Sequence, residues 1–155
     1  MPRKYVRTIK SRSRDKYSVE HRPIGFTTGS SANAGYYQAG QVVVPATTTQ
    51  GMRKVKHLTV SLAAALATST PFYWALVFVP QGYNANILFG EAGSLYEPNQ
   101  YVMACGLIDP DAGPIRIRSP IARNLNSGDS VQLILASLEA STSYRGVVSY
   151  AITLQ

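Results

Sequence analysis

The sequence predicts an all-β domain, an antiparallel sandwich or barrel, behind a basic N-terminal segment. Three observations carry that expectation. Ten Tyr stand among many Val and Thr, residue types that fit a pleated, half-buried surface better than a helix. Nine Pro and twelve Gly interrupt the chain at short intervals, as frequent turns require. Short apolar or alternating runs recur without the strand–helix alternation of an α/β protein.

Residues 1–22 hold eight basic residues: Arg3, Lys4, Arg7, Lys10, Arg12, Arg14, Lys16 and Arg22. Only Asp15 and Glu20 oppose them, so this segment supplies +6 of the formal +7, and the rest of the chain carries seven basic and six acidic groups. Its scattered Tyr5, Val6, Ile9, Tyr17 and Val19 make no apolar face, which predicts a disordered arm. Residues 23–40, with Thr27-Thr28-Gly29-Ser30-Ser31, read as a linker or lead-in strand. The folded domain is expected over 41–155.

Strand signals then follow in order. Residues 36–45 contain Val42-Val43-Val44 and stop at Pro45. Over 53–62, period-two spacing puts Lys54, Lys56, Leu58, Val60 and Leu62 on one side. Residues 61–67 are the one helix-like stretch. Residues 72–79 (FYWALVFV) lie between Pro71 and Pro80 and read as a strand buried on both faces, with Trp74 in an aromatic core. Residues 101–108 follow, and Asp109-Pro110-Asp111-Ala112-Gly113 closes them as a turn. Residues 115–118 alternate, Ile115 and Ile117 inward, Arg116 and Arg118 outward. Residues 130–138 and 146–154 complete the set, the last with Val148, Tyr150, Ile152 and Leu154 on one face. Asn126-Ser127-Gly128-Asp129 stands between strands as turn material.

Several function classes are disfavoured. The single Cys105 allows no internal disulfide, and His21 and His57, the two histidines of the chain, give no Cys/His set for structural zinc. The N-terminus has no apolar run behind its charges, so a secretory signal is not expected. A mitochondrial presequence would also be Arg- and Ser-rich, but Asp15 and Glu20 count against it. No apolar run reaches the roughly 20 residues of a bilayer-crossing helix, and no membrane partner is expected. Gly128-Asp129-Ser130 has no histidine downstream to act as a base. Asp109-x-Asp111-x-Gly113 lacks the later Glu of a calcium loop, where Pro120 stands. Cys105, among apolar residues, reads as buried packing. No catalytic residue, metal site or cofactor is expected, and the chain does not read as an enzyme.

The arm carries the functional signal. Clustered Arg and Lys neutralise phosphates and release counterions, and Tyr5 and Tyr17 could stack on unpaired bases. The same run would serve as a nuclear import signal. A solvated tail is the plainer alternative, but such a tail rarely needs this density of one sign. Arg53, Lys54, Lys56, Arg116, Arg118, Arg123 and Arg145 form a second basic group. If their strands face one side they extend the arm's surface; otherwise they are an ordinary polar strand face. The long irregular loop 81–99 holds Tyr83, Ile87, Leu88, Phe89, Leu95 and Tyr96, more bulky apolar side chains than one small sandwich can cover. Tyr83, Phe89, Leu95 and Tyr96 are therefore candidates for a subunit interface.

Three segments carry a family resemblance: Leu95-Tyr96-Glu97-Pro98-Asn99-Gln100, Val102-Met103-Ala104-Cys105-Gly106 and Ala122-Arg123-Asn124-Leu125-Asn126-Ser127-Gly128-Asp129. From about residue 53 onward the chain resembles capsid proteins of small Rep-encoding circular single-stranded DNA viruses. The resemblance implies a single jelly-roll β-sandwich of eight antiparallel strands in two sheets. It also implies a homo-oligomeric icosahedral shell of T=1 type, sixty copies, with the arm turned inward onto a single-stranded DNA genome. Virion localisation follows, with assembly in the host nucleus; no receptor is indicated. The arm departs from the family pattern in mixing Asp15 and Glu20 with its bases. On this reading the nucleic-acid-binding residues are Arg3, Lys4, Arg7, Lys10, Arg12, Arg14, Lys16, Arg22, Arg53, Lys54, Lys56, Arg116 and Arg118. Two alternatives stand beside it. One is the coat protein of a small RNA satellite virus. The other is a non-viral β-barrel nucleic-acid-binding module, which should carry bases and aromatics on an exposed sheet face.

Overall fold

The computed structural model describes residues 17–30, 35–64, 70–83, 85, 101–112 and 114–154. Arg3, Lys4, Arg7, Lys10, Arg12, Arg14 and Lys16 of the arm, and Phe89, Leu95 and Tyr96 of the long loop, lie outside them. The described residues form nine strands: β1 (Ser18–Thr27), β2 (Tyr37–Val44), β3 (Arg53–Ala64), β4 (Phe72–Val79), β5 (Tyr101–Ile108), β6 (Ile115–Ser119), β7 (Arg123–Leu125), β8 (Ser130–Ser137) and β9 (Ser143–Leu154). A short 3-10 turn, Pro110–Ala112, separates β5 from β6.

All pairings are antiparallel, and one set of them is nested. The first strand pairs with the last, β1 with β9. Inside that pair, β2 meets β8, β3 meets β6 and β7, and β4 meets β5. The chain is thus one long hairpin rolled up, and the β3–β9 and β4–β8 ladders close the roll. The first sheet runs β1-β9-β3-β6 with β7 also on β3, and the second runs β2-β8-β4-β5. This is the two-sheet order of an eight-stranded jelly roll, with β7 continuing the β6 edge.

The core lies between the sheets. Val55, Leu58, Val60 and Leu62 of β3, Ile115 and Ile117 of β6, and Val148, Tyr150 and Ile152 of β9 meet Phe72, Trp74 and Leu76 of β4 and Leu133 and Leu135 of β8. Each large side chain buried in this way contributes about 1.5–3 kcal/mol. Tyr144 stacks on Phe26 with ring centroids 5.5 Å apart and meets Phe72 edge-on at 5.4 Å. Gly146 is needed where β9 crosses β3: a Cβ there would stand 1.9 Å from the Ser61 carbonyl oxygen.

The structure departs from the period-two reading at instructive places. β3 has a bulge between Lys56 and Thr59, where His57 takes a left-handed φ of 56°. The extra residue inverts the phase, so Val55 and Leu58 both face the core while Lys54 and Lys56 face outward. The helix-like stretch does not form at its start: Ser61–Ala64 extend β3, and 65–67 are outside the described residues. β1 begins at Ser18, so residues 18–22, assigned by composition to the arm, pair with β9. They escaped notice because they are exposed on both sides, and Ile24 is the one residue of β1 in the core. Cys105 is exposed rather than buried. It stands opposite Ala75, on the outer side of the second sheet. β4 is buried on both faces except at exposed Tyr73 and half-buried Phe78; its outward Ala75, Val77 and Val79 pack with Ile134 and Ala136 in a second apolar cluster.

Two polar contacts tie this frame together. At one end of the sandwich Asp129, only 5% exposed, accepts the Gln81 amide at 3.1 Å and the Asn126 amide at 2.7 Å. Gly128, with φ 83°, donates its amide to the Thr47 carbonyl at 2.9 Å. The Asn-Ser-Gly-Asp turn therefore clasps the β2–β3 and β4–β5 connections. At the other contact the Tyr150 hydroxyl donates to Glu20 Oε2 at 2.6 Å and fastens β1 to β9. Burial, then the hydrogen bond to Glu20 and its charge, push the Tyr150 phenol up to about 12.

Both contacts are open to test on the unassembled subunit. Asp129→Ala leaves two backbone donors unpaired and is expected to lower the unfolding free energy by about 2–4 kcal/mol, read from urea denaturation. Because the folded Tyr150 phenol titrates above its unfolded value, its contribution is complete below about pH 10 and is lost as pH rises toward about 12. Tyr150→Phe should remove that part of the alkaline loss of stability, and phenolate absorbance should report one late-titrating tyrosine fewer.

Candidate nucleic-acid interface

β2, β4, β5 and β8 contain no charged residue. Among the described residues, every charged residue in a strand lies in the first sheet: Glu20, Arg22, Arg53, Lys54, Lys56, Arg116, Arg118, Arg123 and Arg145. The alternation of each strand then decides which of them share a surface.

In β6, Arg116 and Arg118 are exposed between buried Ile115, Ile117 and Ser119. In β3, Lys54 and Lys56 alternate with buried Arg53 and Val55. In β9, Arg145 is exposed next to buried Tyr144. These five cations occupy the outer face of the first sheet. Register places Arg118 beside Thr59, which pairs across with Ser149 and then His21; Arg116 lies beside Ser61, followed by Val147 and Pro23. His21 Nδ1 is 2.8 Å from Ser149 Oγ. Lys56 Nζ lies 3.5 Å from the centre of the Tyr17 ring, so the last residue before β1 sits against the basic face.

None of the described carboxylates stands at an outward position of these strands. Glu20 is bonded to Tyr150, Asp129 is buried in its turn, and Glu139 follows β8 and accepts the Thr70 hydroxyl. Asp109 follows β5 and accepts the Asp111 amide at 3.0 Å. Successive outward cations, with no interleaved anion, lie within about one Debye length, 8–10 Å, of their nearest neighbours. Their potentials add, and a polyanion is drawn to such a face.

Three expected members stand elsewhere. Arg53 is 8% exposed and turned inward. Its guanidinium donates to the Pro45 carbonyl at 3.2 Å and the Asp129 carbonyl at 3.3 Å, so it fixes the turn clasp and is not available to a phosphate. Arg22 is exposed but pairs with core-facing Val148, on the opposite side of β1 from the five cations. Arg123 lies over the Phe78 ring at 4.7 Å. Tyr83, 73% exposed, projects from the turn after β4. Sequence reasoning named these bases individually; it missed that the second sheet has none, and that the bulge at His57 brings Lys54 and Lys56 onto the side of Arg116 and Arg118.

No protein-family model matches the chain, and no curated protein matches it. Among solved structures, the chain is similar to one of turnip yellow mosaic virus at 15% identity and TM-score 0.43, covering 89% of this chain and 94% of that one. It is similar to one of Desmodium yellow mottle tymovirus at 16% identity and TM-score 0.37, covering 94% of each chain. A third is Israeli acute paralysis virus heated to 63 degree, full particle, at 12% identity and TM-score 0.41, covering 99% of this chain and 81% of that one. The jelly-roll assignment rests on strand order and not on these scores.

The split between inward and outward arginines predicts a split in stability. Arg53→Ala is expected to cost about 2–4 kcal/mol, because the buried Asp129 carbonyl and the half-buried Pro45 carbonyl lose their donor. Arg116→Ala, at an open strand position, should stay within about 0.5 kcal/mol of the parent. Denaturant unfolding of both variants checks the contrast.

Proposed function

We propose that this chain is a structural viral coat protein: it self-assembles into a shell and holds nucleic acid against the inner wall, and it catalyses nothing. The observation that carries this reading is the confinement of all strand charge to one sheet, with five cations on its open face beside the root of a basic arm. A sandwich with one polyanion-attracting side and one uncharged side suits a wall with cargo on one side. The jelly-roll strand order and the segments that resemble capsid proteins of small circular single-stranded DNA viruses support it. Exposed Val42, Tyr73 and Leu107 on the uncharged second sheet are the kind of apolar surface that subunit contacts cover.

In finer detail, the cargo is single-stranded DNA and the shell a T=1 icosahedron of sixty copies, found in virions and assembled in the host nucleus. The binding residues are Arg3, Lys4, Arg7, Lys10, Arg12, Arg14 and Lys16 of the arm with Lys54, Lys56, Arg116, Arg118 and Arg145 of the sheet. A non-viral nucleic-acid-binding module is the second reading, favoured by one observation: bases do occupy an exposed sheet face. It predicts a monomer or dimer.

Electron microscopy of the expressed full chain separates the two. Closed particles of one small diameter, protecting DNA from nuclease, are expected. Protein that stays monomeric at every salt concentration, with and without nucleic acid, would overturn the coat reading. Replacing the seven arm cations of residues 1–16 by Gln should leave particles that form but lose most of their nucleic acid.

A further inference from the structure

The outward cations of the first sheet form a line rather than a cluster. Successive outward residues of a strand stand about 6.7 Å apart, and the bulge at His57 adds a residue without adding an outward step. The outward steps of β3 are Lys54, Lys56, Thr59, Ser61 and Ala63, and each holds one cation. The first two are on β3 itself. Arg118 stands beside Thr59 and Arg116 beside Ser61, both on β6. Arg145 stands beside Ala63, on β9. Neighbouring strands are about 4.8 Å apart, so all five charges keep close to the β3 axis over about 27 Å.

Resting on the reading of this face as a nucleic-acid surface, we infer that the line is a track for one extended, unpaired nucleic-acid strand running along β3, one phosphate per step. An extended single strand repeats one charge per nucleotide at a comparable step. A duplex carries one charge per about 1.7 Å of axis, and each of its strands winds away from a flat face after a few phosphates, so it leaves most of the line unmatched. Between the cations stand the short side chains of Thr59, Ser61 and Ser149, with exposed Val147 in the Arg116 row. The first three let the backbone come close, and their hydroxyls can donate to phosphate oxygens. Tyr17, against Lys56, and His21, in the Arg118 row, flank the line on the β1 side and offer ring faces to unpaired bases. These contacts address phosphate and ring faces, so the track takes unpaired DNA or RNA without sequence preference.

Fluorescence anisotropy of the full chain with dye-labelled oligo(dT), oligo(rU) and a duplex of equal length, over a salt series, tests this. The variant with Lys54, Lys56, Arg116, Arg118 and Arg145 all changed to Gln should lose about 3.5 from the slope of log affinity against log salt, roughly 0.7 per phosphate on single strands. The loss should be equal for oligo(dT) and oligo(rU), and preference for single strand over duplex should fall toward one. Arg116→Lys with Arg118→Lys and Arg145→Lys should keep the slope. Any one Gln exchange should remove about 0.7, which guards against a fivefold variant that misfolds. An unchanged slope, or an equal loss on the duplex, would overturn the track. Particles that form and fill despite an unchanged slope would reject the track alone; absent particles with the slope loss intact would reject the coat reading alone.

Discussion

β3 is bonded along both of its edges, to β9 on one side and to β6 and β7 on the other. Its inward Val55, Leu58, Val60 and Leu62 anchor the core, and its outward residues set the spacing of the basic face. A strand has a side-chain period of two, so a single displaced residue exchanges its faces. Without the bulge at His57, Lys54 and Lys56 would lie on the same side as Leu58 and Val60, and two ammonium groups would face an apolar interior that cannot solvate them. One non-glycine residue in a left-handed conformation thus lets a single strand serve core and surface in its two halves. The neighbouring strands inherit that division through their ladders.

The same division separates the two sheets chemically. The second sheet is apolar on its inner side and uncharged on its outer side, where Ala75, Val77, Val79, Ile134 and Ala136 form their own cluster. The first sheet is apolar within and cationic without. A sandwich of this kind has a direction. It gains most when one side meets a polyanion and the other meets apolar or neutral surface, and mutual repulsion among the cations is relieved only when counter-charge is supplied. Arg53 is the charged residue that faces inward from β3: its guanidinium donates to two carbonyl oxygens, while its buried Nε has no hydrogen-bond partner among the described residues.

Much of this was legible in the residues, to the depth at which local pattern suffices. The alternation of 115–118 and 146–154 gave the correct faces, and turn chemistry located the Asn-Ser-Gly-Asp and Asp-Pro-Asp segments. Pattern failed where the answer depended on a partner far along the chain. The bulge in β3 has no marker of its own; it lies where the β9 ladder shifts register between Lys56 and Thr59, and where the opposite edge passes from β7 to β6. β1 was hidden because an edge strand with one core residue has the composition of a tail. Cys105 was misjudged because its neighbours in sequence are apolar, while its own side of the strand faces outward. The basic face joins Lys54 to Arg118 and Arg145, a juxtaposition that no window of sequence contains. Yet the strict absence of charge from β2, β4, β5 and β8 was visible all along, and becomes informative only once those strands are known to form one sheet.

The nested pairing has a consequence for how the molecule is made. β1 finds its partner in β9, with Ser18 opposite Ile152, and β3 receives one of its two edges from the same late strand. A growing chain on the ribosome therefore holds its first strand unpaired until the last has emerged, and the first sheet closes in a late, long-range step of the kind that slows folding. Arg116 and Arg118 reach β3 through β6, but until β9 docks Arg145 has no fixed place in their line. The full basic face is a property of the finished subunit, so nascent chains have little means of gathering nucleic acid on it before they are ready to build with it.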